Sequence, residues 1–514
     1  MRLGLNGSVA PQDRPAPHTL APGRIGASGI VFFALAASAP FTVVTTTIPA
    51  AYARGVRVVP LAFAALGVVL VMFAAGYVAV ARRAPNAGAL YTIIARGLGR
   101  PIGVGAAWIA LLSYNALQIS LYGLVGTAAE PLLRSWLGVA VPWWTVAAVC
   151  WLIVALCGLL RVEIVAALLS LLVLGEVAVL AGFGAADLLD PAGGGITAGT
   201  LEPAPVSALD LPAIGLLLVV AALAFVGVET TAAYGEEARG PRRALSRSTY
   251  WAVGVTAVLY TGMAWAASVA AGPDRIAAES GARGSDLVFD QAAARLAPWA
   301  VTLGRVLLLT GLLAAMISLH HTIARYTFAL GRERVLPARL GRTGRRTSAP
   351  RAGSLVQSVV AGLVLGACVY LGLGPDTRIL HRLGVGGGLG VILLLLGASL
   401  GALLFLNRHP AGEGVWSRFV APALATVAFG TLAYLAYANL PALLGVAAHD
   451  PLVRTVPAVF AAELVLGVLY AVVLRGAAPV AYAGLGLGGT AAVVTPRVPQ
   501  PRDPGAHRPE RING

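Results

Sequence analysis

The stretch GASGIVFFALAASAPFTVVTTTIPAAY, residues 26–52, decides the fold of this chain. It is long enough to cross a bilayer, because about 20 apolar residues span the hydrocarbon core. Its middle, AASAPF (36–41), is a poor piece of helix, since Pro40 lacks an N–H and its ring clashes with the carbonyl group of Ala36. Polar backbone groups freed inside lipid cost several kcal/mol unless protein, water or a ligand satisfies them. The sequence therefore predicts a membrane-spanning helix that is interrupted at mid-membrane depth.

A second apolar stretch, residues 216–234, also contains residues that disfavour a continuous membrane helix. Its segment FVGVE (225–229) places a glycine, Gly227, and an acid, Glu229, inside an apolar run. Two interrupted helices in corresponding positions of two halves are the best sequence indication of a secondary transporter and of its binding site. The two stretches therefore predict a transporter whose substrate site lies between the interruptions.

The composition is typical of a polytopic membrane protein. Of the 514 residues, 58% are hydrophobic and 11% are charged, whereas soluble domains carry roughly 25% charged residues. The three cysteines, Cys150, Cys157 and Cys368, provide neither a disulfide framework nor the spacing of a metal site. We therefore expect no bound metal. The N-terminal segment has no apolar core, so we do not expect a cleaved signal peptide.

The net charge is +15, and all 37 basic residues are arginines. A strongly basic balance indicates either nucleic acid or anionic lipid as a partner. Here the arginines cluster in alternate loops between apolar spans, most densely at 331–353 and 236–247, which favours membrane topology. The positive-inside rule then predicts a multi-pass protein of the plasma membrane with both termini in the cytoplasm and with no nucleic-acid partner.

Hydropathy predicts twelve membrane spans. They cover residues 27–51, 58–80, 102–128, 143–161, 163–184, 213–235, 249–271, 300–324, 354–374, 383–406, 418–438 and 455–475. The remaining large segments are a cytoplasmic tail at 1–26, an extracellular loop at 185–212 and a tail at 476–514. That last tail is rich in Pro, Gly and Arg, and we expect it to be disordered.

The first five spans (27–184) and the next five (213–406) each begin with an interrupted helix. An odd number of spans in each unit reverses the orientation of the second unit. The predicted fold is therefore all-α and integral to the membrane, with about 12 transmembrane helices in a 5+5 inverted repeat followed by two extra helices (418–475). This is the architecture of LeuT-type transporters.

Three segments resemble the signature sequences of the amino acid–polyamine–organocation (APC) family of permeases. They are PNAGALYTIIARGLGRPIGVGAAW (85–108), FVGVETTAAYGEEARGPRRALSRSTY (225–250) and SLHHTIARYTFALGRERVLPARLGR (318–342). Their order and spacing match as well, since the first enters span 3, the second closes span 6 and the third leaves span 8. The resemblance implies a permease for amino acids or related amines.

The ends of interrupted helices suit a zwitterion. The N-terminus of a half-helix carries unpaired N–H groups that hold a carboxylate, and the C-terminus exposes carbonyl groups that suit an ammonium group. A proline kink that only shapes packing is the alternative. The candidate substrate-binding residues at the two interruptions are Ala36, Ala37, Ser38, Ala39, Pro40, Phe41, Thr42, Phe225, Val226, Gly227 and Glu229.

Two acids lie inside predicted spans, where an acid is expensive and by default functional. Glu229 is expected either to receive a substrate amine or to order the unwound backbone of span 6. Glu176 lies in the middle of span 5, and burial disfavours the charged form of a carboxyl group. Glu176 is therefore a candidate proton carrier, the alternative being a neutral acid that is hydrogen-bonded to a neighbouring helix.

Spans 3 and 8 carry the other candidates. Tyr114, Asn115 and Gln118 form a polar face at helical spacing, which we interpret as a pathway lining rather than as interhelical contacts. In span 8, a group of one-turn neighbours is placed to face span 1, where relatives of this fold have a cation site; a histidine satisfied by packing is the alternative. These candidate coupling residues are Ser318, His321 and Thr322.

Other classes of protein fit poorly. The sequence has no DxD, HExxH or CxxC motif for an enzyme, no sizeable soluble domain for a sensor, and no filter-like loop for a channel. We therefore expect an amino acid permease that has no cofactor and is driven by a proton gradient, with sodium coupling left open. An organic amine or polyamine permease and an exchanger are the alternatives. The expected partners are a small-molecule amino acid or amine substrate and the lipid bilayer, and the oligomeric state stays open.

Overall fold

A computed structural model of the chain describes residues 20–83, 86–197, 199, 201, 210–344 and 347–488. Throughout these ranges the regular structure is helical, without a β-strand. Eleven helices there are long and apolar enough to cross a membrane. A twelfth helix, of 15 residues, lies at the fourth predicted span. The prediction of an all-α integral membrane protein is confirmed.

The twelve helices correspond one to one to the twelve predicted spans. In chain order they are α1 (Ala27–Tyr52), α2 (Val59–Ala81), α3 (Arg100–Leu137), α4 (Trp143–Cys157), α5 (Val162–Leu189), α6 (Leu211–Tyr234), α7 (Pro241–Ala271), α8 (Pro298–Arg332), α9 (Arg351–Tyr370), α10 (Ile379–Arg408), α11 (Trp416–Ala438) and α12 (Leu452–Ala477). Several helices exceed their predicted spans, most of all α3 with 38 residues and α8 with 35 residues. About 20 residues suffice to cross the hydrocarbon core, so the ends of these helices extend beyond it.

Two of the twelve helices are interrupted. The first half of α1, α1a (Ala27–Ala37), is followed by α1b, which comprises the helix Pro40–Thr42, the π-helical turn Val43–Thr47 and the helix Ile48–Tyr52. Likewise, α6a (Leu211–Ala224) is followed by α6b, the 3₁₀-helix Val228–Tyr234. The two halves of each helix therefore meet at the segments that the sequence identified. The inverted relation between the two five-helix units stays a prediction.

Shorter helices lie between the spans and after the last one. They are Ala89–Leu98, Ile276–Arg283, Leu287–Arg295, Leu440–Leu444 and Pro479–Gly484, together with the 3₁₀ turns Ala192–Gly194, Gly284–Asp286, Ala338–Gly341 and Pro375–Thr377. The predicted loop 185–212 is shorter than expected, because α5 continues to Leu189 and α6 begins at Leu211. Its residues 198, 200 and 202–209 lie outside the described residues, as do residues 1–19 of the predicted N-terminal tail.

The predicted disordered tail is wrong at its start. The helix α12 continues to Ala477, and residues 479–484 form a further helix that packs against the beginning of α3. There the Arg100 guanidinium lies 5.4 Å from the centre of the Tyr482 ring and donates a hydrogen bond of 3.1 Å to the Ala483 carbonyl. Composition alone did not indicate this docking, because its contacts use backbone groups and one ring. Residues 489–514 lie outside the described residues.

Small residues allow the connecting helix 89–98 to press against α10. A Cβ atom added at Gly97 would lie 2.1 Å from the carbonyl oxygen of Gly401 and 2.3 Å from its Cα. Membrane helices approach closely through such residues, because lipid offers no hydrophobic driving force for their association. The Gly97–Gly401 contact therefore fixes the connection between α2 and α3 on the helix bundle.

We expect Gly97→Ala to destabilise the protein by about 1–3 kcal/mol, because the new methyl group has to displace the backbone of α10. The measurement is the thermal unfolding midpoint of the purified protein in detergent. Gly262→Ala in α7 is the matched control, since a Cβ atom there meets nothing within 4 Å. Equal midpoints for the two variants would contradict the close packing.

Candidate substrate site

The first interruption is centred on Ala39. Ser38 ends α1a with its N–H bonded to the Ala34 carbonyl (3.1 Å) and its Oγ donating to the Leu35 carbonyl (2.9 Å). Ala39 then adopts φ 46° and ψ 65°, a left-handed conformation that is uncommon for a residue with a Cβ atom. Pro40 is the first residue of α1b, where its missing N–H disrupts nothing. The proline thus begins the second half-helix, and the residue before it carries the backbone reversal.

The second interruption touches the first. Gly227 has φ 114° and ψ −30°, which a side chain would strain. A Cβ atom added at Gly227 would lie 2.6 Å from the carbonyl carbon of Ala37 and 2.7 Å from the nitrogen of Ser38. The absence of a side chain at Gly227 therefore lets the two unwound segments meet backbone to backbone.

Two buried tyrosines, which the sequence analysis did not single out, bind backbone groups at the interruptions. The Tyr260 hydroxyl of α7 donates to the Ser38 carbonyl at 2.9 Å. The Tyr77 hydroxyl of α2 donates to the Glu229 carbonyl at 2.7 Å and accepts from the Ala232 N–H at 3.0 Å. Inside a membrane, such groups have to be satisfied by protein where water is absent. A tyrosine within an apolar span is the sequence signal that was available for both residues.

Glu229 is used to hold the unwound backbone of α6. Its carboxylate accepts hydrogen bonds from the Gly227 N–H (2.8 Å) and from the Tyr114 hydroxyl of α3 (2.9 Å). The side chain is buried and lies off the wall of the cavity described next. Of the two roles that the sequence left open, this geometry favours ordering of the backbone over direct contact with a substrate amine.

A cavity of about 880 Å³ extends from the interruptions to one end of the bundle. Its far end is lined by Arg54 after α1, Arg378 before α10 and Gly445 before α12. Five predicted site residues line its wall: Ala37, Ser38, Ala39, Thr42 and Val226. The Thr42 hydroxyl is buried there without a hydrogen-bond partner among the described residues. The other predicted substrate residues, which do not line this cavity, are Ala36, Pro40, Phe41, Tyr114, Asn115, Gln118, Phe225, Gly227 and Glu229.

The polar face predicted for span 3 points toward neighbouring helices. The Gln118 carbonyl oxygen accepts from the Gln357 amide of α9 at 2.7 Å, and the Asn115 amide donates to the Leu111 carbonyl at 2.8 Å. Leu117, Ser120, Leu121 and Leu124, on another face of α3, line the cavity. The polar residues therefore make contacts within the bundle, and a largely apolar face borders the cavity.

Glu176 is fully buried in α5, and neither carboxyl oxygen has a hydrogen-bond partner of normal geometry among the described residues. A Cβ atom added at Gly311 of α8 would lie 2.7 Å from Oε2, so this glycine makes the space for the carboxyl group. The Phe41 N–H of α1b interacts with the same carboxyl group. Glu176 therefore lies where α5, α8 and the start of α1b converge.

The candidate coupling residues of α8 contact α1 and one another. The Ser318 hydroxyl donates to the Phe33 carbonyl of α1a at 2.6 Å, and the Thr322 hydroxyl donates to the Ser318 carbonyl at 3.0 Å. The His321 ring is bonded on one side to the Cys157 carbonyl (3.2 Å) and on the other to the Arg325 guanidinium (3.1 Å). These residues thus fasten α8 to its neighbours. Among the described residues, no group of three or more His, Cys, Asp or Glu residues is placed to hold a metal ion.

The chain was compared with families of known proteins. Residues 28–447 match the profile of the family described as amino acid permease. This match covers most of the chain and all the elements that form the site. The chain belongs to the amino acid permease family. The resemblance to APC permeases in the three signature segments is thereby confirmed.

Curated relatives of this permease are transporters by name. Three proteins, one from Mycobacterium bovis and two from strains of Mycobacterium tuberculosis, are each described as an uncharacterized transporter. Each is 30% identical over 165 residues, which are 32% of this chain and 36% of the relative. The chain thus matches about a third of the length of these relatives. Family and relatives together indicate transport rather than catalysis.

The end of the permease opposite the cavity mouth is closed by buried ion pairs. Arg325 of α8 pairs with Glu237 at 2.6 Å, and Arg332 pairs with Glu236 at 2.6 Å. The Glu237 carbonyl also accepts from the N–H groups of Arg24 (2.9 Å) and Ile25 (3.1 Å), just before α1a. The segment after α6 therefore ties the start of α1 to the end of α8.

Glu333 extends this closure to the C-terminal segment. Its buried carboxylate accepts from the N–H groups of Gly486 (2.7 Å) and Gly488 (3.0 Å), from the Asn86 amide (3.2 Å) and from the Tyr91 hydroxyl. Burial raises the pKa of Glu333 above its usual value, while the hydrogen bonds from Tyr91 and the two glycines act in the opposite direction. One carboxylate thus joins the end of α8, the α2–α3 connection and residues 486–488.

We expect Tyr260→Phe to slow transport at saturating substrate and to lower stability by about 1–3 kcal/mol, because the Ser38 carbonyl loses its donor. Uptake into proteoliposomes and the unfolding midpoint of the same preparation measure the two effects. Tyr437→Phe is the matched control, since Tyr437 is 63% exposed on α11. Wild-type uptake and stability in Tyr260→Phe would contradict the assigned role.

We expect Glu333→Gln to release the C-terminal segment of the permease. Loss of the charge weakens the hydrogen bonds from Gly486 and Gly488, and charge-assisted bonds of this kind contribute about 1.5–3 kcal/mol. Amide hydrogen exchange in residues 478–488 should therefore accelerate about tenfold or more. Glu130→Gln, which alters an exposed pair with Arg134, is the control. Unchanged exchange in Glu333→Gln would show that the segment is held by other contacts.

Proposed function

We propose that this permease is a secondary active transporter that moves amino acids across the plasma membrane by alternating access and is driven by a proton gradient. One observation carries the proposal. The interruptions of α1 and α6 touch at the end of a cavity that is open on one side of the bundle, while ion pairs close the other side. A binding site with access from one side at a time is what alternating access requires.

The open cavity and the closed ion pairs lie on opposite sides of the bundle, so the topology of the chain decides which side of the membrane the site faces. If both termini are cytoplasmic, as the arginine distribution predicts, the cavity opens to the exterior and the pairs Arg325–Glu237 and Arg332–Glu236 seal the interior. Release of substrate to the cytoplasm then requires these pairs to separate. Because the segment after α6 is bonded to the start of α1, movement of α1a away from α8 would open the seal.

An amino acid suits the inner end of the cavity because polar groups there are few and adjacent. The Thr42 hydroxyl has no partner among the described residues, and Ser38 lies across the interruption from it, on the same cavity wall. The start of α1b presents the positive end of its backbone dipoles, which favours a carboxylate. The α-carboxylate of the substrate would then bind at the start of α1b. Its α-ammonium group would lie beside the carbonyl groups at the end of α6a.

Glu176 is the proposed proton carrier. Protonated, it is a neutral group that fits beside Gly311 without a strong need for partners. Deprotonated, a fully buried carboxylate requires hydrogen-bond donors, and the Phe41 N–H of α1b is a donor that interacts with it. Loss of the proton would therefore favour a position of α1b closer to α5. This coupling links the charge on Glu176 to the shape of the substrate site.

An organic amine or polyamine permease is the less favoured alternative. It would use acids such as Glu229 to bind the cationic substrate, but the Glu229 carboxylate is engaged by Gly227 and Tyr114 and lies off the cavity wall. An exchanger of the same fold differs in its energy source rather than in its site, so transport kinetics distinguish it.

We expect purified permease in proteoliposomes to accumulate a labelled amino acid when an inward proton gradient is imposed, and to lose the accumulated label when a protonophore is added. Glu176→Gln should reduce this accumulation at least about tenfold, because a neutral amide cannot carry the proton. The variant should still exchange labelled for unlabelled substrate. The measurement is uptake from a panel of amino acids and amines with and without the gradient.

Glu463→Gln, an acid on the peripheral helix α12 that does not line the cavity, is the matched control and should transport like the wild type. Proton-driven accumulation that survives in Glu176→Gln would remove Glu176 from the mechanism. Transport that needs only substrate on the opposite side of the membrane would identify an exchanger.

A further inference from the structure

The inner end of the cavity is aliphatic. We define the aliphatic floor as six apolar lining residues around the two interruptions: Ala37, Ala39, Val43, Leu223, Val226 and Leu319. They come from α1, α6 and α8, so three sides of the site present methyl and methylene groups. We propose that the substrate is a neutral amino acid with an aliphatic side chain, an inference that rests on the proposed function and narrows it.

The charged groups of the cavity wall are remote from the aliphatic floor. Arg54, Arg378 and His381 are the titratable side chains that line the cavity within the described residues. Arg54 follows α1b, and its guanidinium reaches back to the Ala50 carbonyl at 3.5 Å. Ala50 lies eight residues beyond Thr42 along α1b, which at 1.5 Å per residue is about 12 Å. Arg378 and His381 lie at the start of α10, at the far end of the cavity. An amino acid side chain bound between the interruptions is shorter than this distance and does not reach these three groups.

The nearby acids also give a charged side chain no partner. Glu229 is bonded to Gly227 and Tyr114 behind the wall, and Glu176 lies between α5 and α8, off the wall. A charged group that leaves water without a counter-charge is strongly disfavoured. An acidic, basic or polyamine substrate would therefore lose its hydration at the aliphatic floor without compensation.

The α-amino and α-carboxylate groups of an amino acid are the polar groups for which the site offers partners. The Thr42 hydroxyl is buried beside the floor without a partner among the described residues, and the two unwound segments meet nearby, at Gly227 and the Ala37–Ser38 peptide. Thr42 thus accounts for part of the binding of the common α-amino and α-carboxylate groups. Leu223, Val226 and Leu319 surround the remaining space, where the variable side chain of the substrate would lie.

The test is a specificity profile of the reconstituted permease. Leucine, valine, isoleucine and alanine are compared with glutamate, lysine and putrescine by initial uptake rates at subsaturating concentration. We expect kcat/KM for the branched aliphatic amino acids to exceed that for glutamate and lysine by about tenfold or more, since a single methylene group in an apolar pocket changes selectivity about tenfold.

Two variants test the location of the side-chain pocket. Leu223→Ala and Leu319→Ala enlarge it, and each should lower the kcat/KM ratio of valine to phenylalanine about tenfold. Leu363→Ala is the matched control, because Leu363 is 69% exposed on α9 and should leave the ratio unchanged. Unfolding midpoints and size-exclusion profiles identify the variants that are folded. Because there are two enlarging variants, the test can still be made if one of them does not fold.

The outcomes separate the inference from the function on which it rests. Equal or faster uptake of glutamate or lysine would overturn the aliphatic specificity and leave an amino acid permease. Saturable uptake of putrescine without uptake of any amino acid would overturn both. A valine-to-phenylalanine ratio that is the same in both enlarging variants as in the wild type would show that the side chain lies elsewhere in the cavity.

Discussion

The structure depends on one constraint, that a polypeptide unwound inside a membrane has to find partners for its freed backbone groups. At the two interruptions these partners come from two other helices, α2 and α7, or from the unwound segment itself. Tyr260 donates to the Ser38 carbonyl, Tyr77 bridges the Glu229 carbonyl and the Ala232 N–H of α6b, and the Glu229 carboxylate accepts from the Gly227 N–H. Residues that are distant in sequence thereby become necessary for the shape of a site they do not line. The substrate cavity is built on this satisfied backbone.

The locations of the two helix interruptions could be predicted from sequence because proline and glycine act locally. The ASAPF and FVGVE segments break their helices wherever the rest of the chain lies, and the structure places the interruptions at Ala39 and Gly227. The family followed from three signature segments, one of which contains the second break. Hydropathy located the eleven helices that are long enough to cross a membrane and the 15-residue helix α4, because the length of an apolar run is also a local property.

The use of each polar side chain could not be predicted, because it depends on which helix lies opposite. A polar face on α3 fits either a pathway or a contact between helices, and Gln118 bonds to Gln357 of α9, a residue 239 positions away. The C-terminal segment escaped prediction for a related reason. Gly486 and Gly488 bind Glu333 through backbone N–H groups, which are the same in every sequence and leave no signature in composition.

The contact between Gly227 and the Ala37–Ser38 peptide lies between the two halves of both interrupted helices. Any rotation about this point moves the ends of the half-helices through the largest arcs and leaves the centre almost in place. The contact can therefore serve as a fulcrum. In the proposed alternating-access cycle, the ends of α1 and α6 would move while the groups proposed to hold the substrate kept their mutual distances, so that a molecule bound on one side of the membrane would be presented unchanged to the other.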